Sequence, residues 1–234
     1  MNFQRELDRL LQTIPAGERS LLLHSCCAPC SSYCMEYLRE YFRITVFFFN
    51  PNITEQAEYE KRAAEEKRLI AAYNEQVERG CFTGMHSTKQ AQKIEILEGR
   101  YCPQDFFQMA EGYEQCREGG ERCLRCYELR LRETAETAAR GGYDFFTTTL
   151  SISPLKNAAE LNEIGGKLAE EYGVPYLFSD FKKKDGYKRS VELSARFGLY
   201  RQDYCGCVYS KAERERQKRD GMEMPFRRFR KEHK

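Results

Sequence analysis

No stretch of the chain approaches the roughly 18 apolar residues that a membrane-spanning helix needs, so a helical integral membrane protein is excluded. The first fifteen residues, MNFQRELDRLLQTIP, carry charges every few positions and lack the apolar stretch of a secretory signal, so the expected location is the cytoplasm. Charge of one sign is also missing: 38 Lys and Arg stand against 36 Asp and Glu, a net +2, so no global basic field announces a nucleic-acid binder. Neither G-x-x-x-x-G-K-[ST] nor G-x-G-x-x-G occurs, which removes the common phosphate-cradling loops. The three histidines, His24, His86 and His233, are too few and too scattered for a triad or a histidine-rich zinc site. His24 reads best as a satisfied buried residue at a strand end. Internal repeats and low-complexity linkers are absent too. What remains is 234 residues, 41% hydrophobic and 32% charged, enough for one folded α/β-sized domain and not a disordered chain.

Against these absences stand eleven cysteines. An odd number cannot all pair internally, and a reducing compartment disfavours structural disulfides. Most of them are therefore expected to bind metal or to do redox chemistry.

Apolar periodicity supplies the frame. Short apolar runs at 21–23, 44–49, 144–150 and 174–178 read as buried strands, the last with its proline near the start. Helical patterns cover 2–14, 53–77, 121–140, 158–172, 188–198 and 207–219, with Gly141-Gly142 and Gly173 as stops. Alternating strands and helices predict an α/β fold with a mostly parallel sheet. Residues 78–120 look like a helical or irregular insertion, so 1–210 reads as a single metal-binding catalytic domain. Residues 211–234 hold ten basic against five acidic residues and read as a basic C-terminal tail.

The cysteines fall into three short groups. Cys26, Cys27 and Cys30 follow the first strand, Cys123 and Cys126 form C-x-x-C at a helix start, and Cys205 and Cys207 form C-x-C around Gly206. Positions i and i+3 share a helix face, and glycine lets C-x-C curl around one centre. Ligands of open α/β sheets sit beyond the carboxyl ends of the strands, where Cys26, Cys27 and Asp180 fall. Six or seven thiolates exceed the four of one tetrahedral zinc. An iron–sulfur cluster beside a second metal, a structural zinc and plain redox thiols all remain open on spacing alone. Cys30 could join the ligands, though it and Cys34 both read more readily as small buried hydrophobes. Cys81, Cys102 and Cys116 are isolated.

Three further stretches can carry binding. The hydroxyl-rich turn 147–157 offers Ser153 and Lys156 at a strand end, where a phosphate or ribose could dock. The run 179–190 clusters Lys182, Lys183, Lys184, Lys188 and Arg189 with Phe181 and Tyr187, a pattern that suits RNA phosphates and stacking. Arg201 and Tyr204 precede the last cysteine pair.

Taken together, LLLHSCCAPCS, FFFNPNI, RCLRCYELRL, TTTLSISPLKN, SDFKKKDGYKRS and LYRQDYCGCVYS resemble the QueH family, the cobalamin-independent epoxyqueuosine reductases, over about residues 20–210. The resemblance implies a Rossmann-like, HUP-like fold. It further implies a two-electron deoxygenation of epoxyqueuosine to queuosine at the tRNA wobble position, performed with a [4Fe–4S] cluster and an adjacent mononuclear non-haem iron. Carried onto this chain, it implies Cys26, Cys27, Cys123, Cys126, Cys205, Cys207 and Asp180 as metal ligands. Asp180 is expected on the single iron, and Tyr187 and Tyr204 are the expected proton donors. tRNA is the expected partner, a ferredoxin or flavodoxin the expected electron source, and no membrane is involved. The rival readings are an iron–sulfur ATP-dependent tRNA thiolase and a zinc-bound RNA-binding module. The thiolase needs an S-G-G-x-D-S loop after its first strand, where this chain has His24 to Cys30.

Overall fold

The structure, a computed structural model, describes residues 2–221. Its frame is a parallel sheet of β1 (Arg19–His24), β2 (Phe42–Phe48), β3 (Glu95–Glu98) and β4 (Phe145–Thr148) in the order β3-β2-β1-β4. Successive side chains of a strand face opposite sides. Leu21 and Leu23 accordingly enter one core, with α1 (Phe3–Leu11), α2 (Ala28–Leu38), α3 (Gln56–Arg79) and α7 (Gly186–Arg196). Leu22 enters the other, with α5 (Glu121–Gly141) and α6 (Ala158–Tyr172). All three leucines are fully buried, each worth about 2 kcal/mol. A sheet covered on both faces explains why β1 reads as an unbroken apolar run. The chain is thus α/β with helices on both faces of a parallel sheet. Its strand order matches the start of a Rossmann sheet, which reverses direction between β1 and β4.

Three strands differ from the sequence expectation. The fourth sheet strand is β3, inside the segment read as irregular; α4 (Pro103–Ala110) follows it. The run 174–178 is not a strand but makes one parallel bridge, Tyr176 to Phe146. Side chains take the backbone groups a ladder would need. Thr147 Oγ1 donates to Leu177 O at 2.8 Å, and the Asn162 amide bonds both Ser179 N and Ser179 O at 2.9 and 2.8 Å. The expected strand at 144–150 also stops early. The Thr148 hydroxyl accepts from Leu150 N at 3.1 Å and turns the chain into a 3₁₀ turn, Thr149–Ile152. The last helix, α8 (Val208–Arg219), runs through the boundary expected at 210; residues 222–234 of the basic tail lie outside the described part. Among the described residues no helix is long and apolar enough to cross a membrane.

Candidate metal centre and substrate cavity

The crevice at the sheet reversal holds the thiols. β1 ends at His24, and Cys27 stands as the residue before α2, in extended backbone, with Pro29 in the first turn. Cys26, Cys27 and Cys30 therefore cluster at a helix N-terminus, where the backbone dipole favours negative charge. Their ligand atoms all lie within 4.8 Å of one another, and Cys26 and Cys27 Sγ are 3.8 Å apart. Thiolates on one tetrahedral ion, at about 2.3 Å from the metal, sit ~3.8 Å apart. This trio can hold a metal ion, and no other such group closes to that spacing among the described residues. Within it the contacts with the Cys26 and Cys30 thiols, joined by the charge of Arg62, outweigh burial and hold the Cys27 thiol well below its usual range. Cys30 is pushed well above it by the same contacts and by burial.

A second group is built by α5 and the start of α8. Cys123, Cys126, Cys205 and Cys207 line one small pocket with Arg122 and Arg130. Burial pushes the Cys126 thiol up to about 12 and raises Cys123 and Cys207 as well. The C-x-C turn depends on its glycine. Gly206 has φ +127°, and a Cβ there would lie 2.9 Å from Ile53 Cγ1. Arg62, 2% exposed, clamps the turn by donating from Nη1 to Cys205 O at 2.9 Å, while Glu58 holds its other end at 2.6 Å.

Cys205 lines both this pocket and a larger cavity of about 630 Å³. Cys26, Cys27 and Cys30 form part of that cavity's wall, as do Ser153, Lys156, Arg201, Tyr187 and Tyr204. Leu150, Ile152 and Leu155 supply an apolar side. Burial opposes charge on Lys156, but Cys205, Tyr127 and Cys26 outweigh it and hold the ammonium firmly protonated. Tyr187 and Tyr204 keep their hydroxyl protons, burial being the main cause. The floor is rigid below them. His24 Nε2 reaches Phe49 O at 3.2 Å, an acceptor only, so Nδ1 accepts from the Thr148 hydroxyl at 2.8 Å. Burial, then Arg130, lowers the imidazole pKa to about 3, so it stays neutral.

Other residues singled out in the sequence lie elsewhere. Asp180 lines neither cavity; its carboxylate meets Lys182 Nζ at 3.1 Å, and that ammonium donates to Ser151 O at 2.9 Å and Lys156 O at 3.2 Å. Arg189 turns away to the buried Glu36 at 2.7 Å and to Gly84 O at 2.9 Å. Lys183 and Lys188 are exposed and line neither cavity. Conversely, Arg62 and Arg130 were not anticipated, because both sit in helices whose many charges look solvated. Their signal was position: Arg62 falls on the α3 stripe Tyr59, Ala63, Leu69, Ile70 and Tyr73, and Arg130 lies four residues after Cys126.

A family model described as epoxyqueuosine reductase QueH matches residues 21–213. The chain belongs to the QueH family. It is 40% identical over 191 residues to the epoxyqueuosine reductase QueH of Streptococcus pyogenes serotype M1, covering 82% of this chain and 70% of that one. It is 39% identical over 214 residues to the Staphylococcus epidermidis QueH, covering 90% and 84%. To the Thermotoga maritima QueH it is 35% identical over 195 residues, covering 83% and 92%. The QueH match spans all three cysteine groups and the lining residues of the large cavity that are named above.

The four-thiol pocket has one feature that bears on what it could hold. Arg130 is wholly buried, and neither terminal nitrogen of its guanidinium has a hydrogen-bond partner. An uncompensated buried ion costs several kcal/mol. A pocket with one such cation and four thiols suits a group that carries net negative charge once thiolate-bound, as iron–sulfur clusters do.

Proposed function

We propose that the chain is an epoxyqueuosine reductase. It removes the epoxide oxygen from the cyclopentane ring of epoxyqueuosine at the wobble position of tRNA, leaving the alkene of queuosine. Both C–O bonds break, a C=C bond forms, and the oxygen leaves as water, with two electrons and two protons consumed. The observation that carries this reading is the shared wall: a four-thiol pocket and a three-thiol trio meet at Cys205 on one cationic cavity.

In this reading Cys123, Cys126, Cys205 and Cys207 hold a [4Fe–4S] cluster, which is supported by their lining of one pocket. Cys26, Cys27 and Cys30 hold the single iron. Bound there, the two groups supply single electrons and an oxophilic Lewis acid, respectively. Electrons come from a ferredoxin- or flavodoxin-type donor. The chain's own part is to place the nucleotide and move protons. Leu150, Ile152 and Leu155 receive the ring and exclude water. Lys156 and Arg201 contact phosphate, Ser153 donates from its hydroxyl, and the exposed Lys183 and Lys188 extend the contact along the tRNA. The hydroxyls of Tyr187 and Tyr204 hold the protons given to the departing oxygen. Asp180 and Lys182 act one step back: by binding Ser151 O and Lys156 O, Lys182 fixes the turn that carries Lys156.

Anaerobic purification with iron, sulfide and zinc analysis, followed by turnover of epoxyqueuosine-containing tRNA, tests the reading. About five irons and four sulfides per chain together with queuosine formation are expected. One zinc, no sulfide and no product would refute it.

A further inference from the structure

α5 presents Cys123, Cys126 and Arg130 at spacings of three and four, so all three share one helix face. Arg130 Nε is spent on Cys126 O at 3.1 Å, and the Tyr127 ring flanks its guanidinium at 5.7 Å. These contacts anchor the group but leave both terminal nitrogens without an acceptor, in a side chain with no exposure. The neighbouring Arg122 differs: its Nη1 donates to Tyr113 O and Glu114 O at 3.0 and 2.8 Å. No carboxylate pairs with Arg130 among the described residues, and the groups that act on it most strongly are Cys126, Cys205, Cys26 and Tyr127. The pocket thus contains a fixed positive charge with four unused hydrogens beside four thiols; its one lining carboxylate, Glu118, makes no ion pair with Arg130 among the described residues.

We propose that Arg130 is the built-in counter-charge of the iron–sulfur group held by Cys123, Cys126, Cys205 and Cys207, and that it raises that group's reduction potential. The inference rests on the proposed function. Reduction adds one negative charge to a thiolate-ligated cluster. A cation aimed at its sulfurs stabilises the reduced form more than the oxidised one, and net charge and hydrogen bonds to sulfur are what set such potentials. Arg130 is a positioning residue in this account, since it acts through the cluster rather than on substrate. The same geometry gives it a second consequence. Its charge is uncompensated in the empty protein and compensated in the loaded one, so it couples loading to stability.

The test uses the full-length chain, anaerobically loaded, as wild type, Arg130→Lys, Arg130→Gln and Arg130→Met. Iron and sulfide content is measured first, then the midpoint potential by spectroelectrochemistry with electron paramagnetic resonance, and then melting of empty and loaded forms. The midpoint of the Gln and Met variants is expected to move negative, with the Lys variant closer to wild type. The gain in melting temperature on loading is expected to shrink in both neutral variants. Empty Arg130→Met should melt no lower than the empty wild type. A purely structural arginine would lower both forms equally and leave the midpoint in place, and that result overturns the proposal. If the neutral variants fail to load while Arg130→Lys loads, the charge is required and the proposal stands. If Arg130→Lys fails as they do, charge is not the carrier. A wild type that loads no iron–sulfur overturns the functional reading and this inference together; a loaded wild type with unmoved neutral variants overturns this inference alone.

Discussion

Arg189 and Arg201 come from adjoining basic stretches, yet their partners assign them opposite work. Arg189 pairs with Glu36, whose side chain is 1% exposed. Breaking a buried pair leaves an uncompensated charge, at a cost of about 3 kcal/mol. Arg189→Ala should therefore lower stability by that order in a denaturant titration and leave tRNA affinity nearly unchanged. Arg201 donates to neutral oxygens, Ser194 Oγ at 2.8 Å and Ser190 O at 3.3 Å, and pairs with no carboxylate among the described residues. Its charge is free for phosphate. Arg201→Ala should leave the melting curve in place, weaken tRNA binding, and reduce the slope of log affinity against log salt by about 1. The sequence could not separate the two, because a basic run looks the same whether its charges meet phosphate or a buried glutamate. Gly206 was legible at this scale: a C-x-C turn around one centre needs it. Gly206→Ala forces a side chain into positive φ and against Ile53, costing on the order of 2 kcal/mol, and should lower sulfide content per chain.

Elements were legible where burial on both sides makes the pattern loud. The apolar runs of β1, β2 and β4 and the glycine stops after α5 and α6 stand out in sequence for that reason. β3 did not, because EILE is an edge strand with charged ends and mostly exposed positions, which carries no apolar run to read. The 174–178 segment misled in the other direction: its residues are strand formers, but Thr147 and Asn162 bind the backbone that pairing would use. The inward face of α3 is hard to read in sequence, because a buried stripe with Arg62 and Glu66 in it resembles a solvated face. One junction between elements has a pH signature. The Asp144 carboxylate, just before β4, accepts from Ser20 N, Ser20 Oγ and Arg19, each at 2.8 Å, at the start of β1. Those bonds lower its pKa to about 2. A depressed carboxylate adds stability that is fully present above its unfolded value near 3.8 and is lost as pH falls from there towards 2. Asp144→Asn should be less stable than wild type at pH 6, and the gap should close by pH 2 in paired melts.

At the scale of the whole molecule, the thiols join parts of the chain that little else connects. Cys26, Cys27 and Cys30 open α2, Cys123 and Cys126 lie in the first two turns of α5, and Cys205 and Cys207 lead into α8. The sheet does not need them, since its registry and its two cores are apolar. α8 leans on them more: Ser210 is its one buried residue, and besides Arg62 on Cys205 O it is tied down by peripheral contacts such as Lys211 with Glu55 and Tyr209 with Arg122 and Phe106. Under the proposed function, metal held by these thiols would act as a staple across segments 26–30, 123–126 and 205–219 rather than as a requirement for folding the sheet. Removal of metal by an anaerobic chelator should leave amide protection in β1, β2 and β4 close to that of the loaded protein. Exchange should rise in 201–219 and in the first turns of α5, because local opening there no longer has to break metal–thiolate bonds. Hydrogen exchange followed by mass spectrometry reads the two regions separately. A uniform loss of protection across sheet and α8 would mean that the metal holds the whole domain together, and the assignment of stability to the two apolar cores would then be wrong.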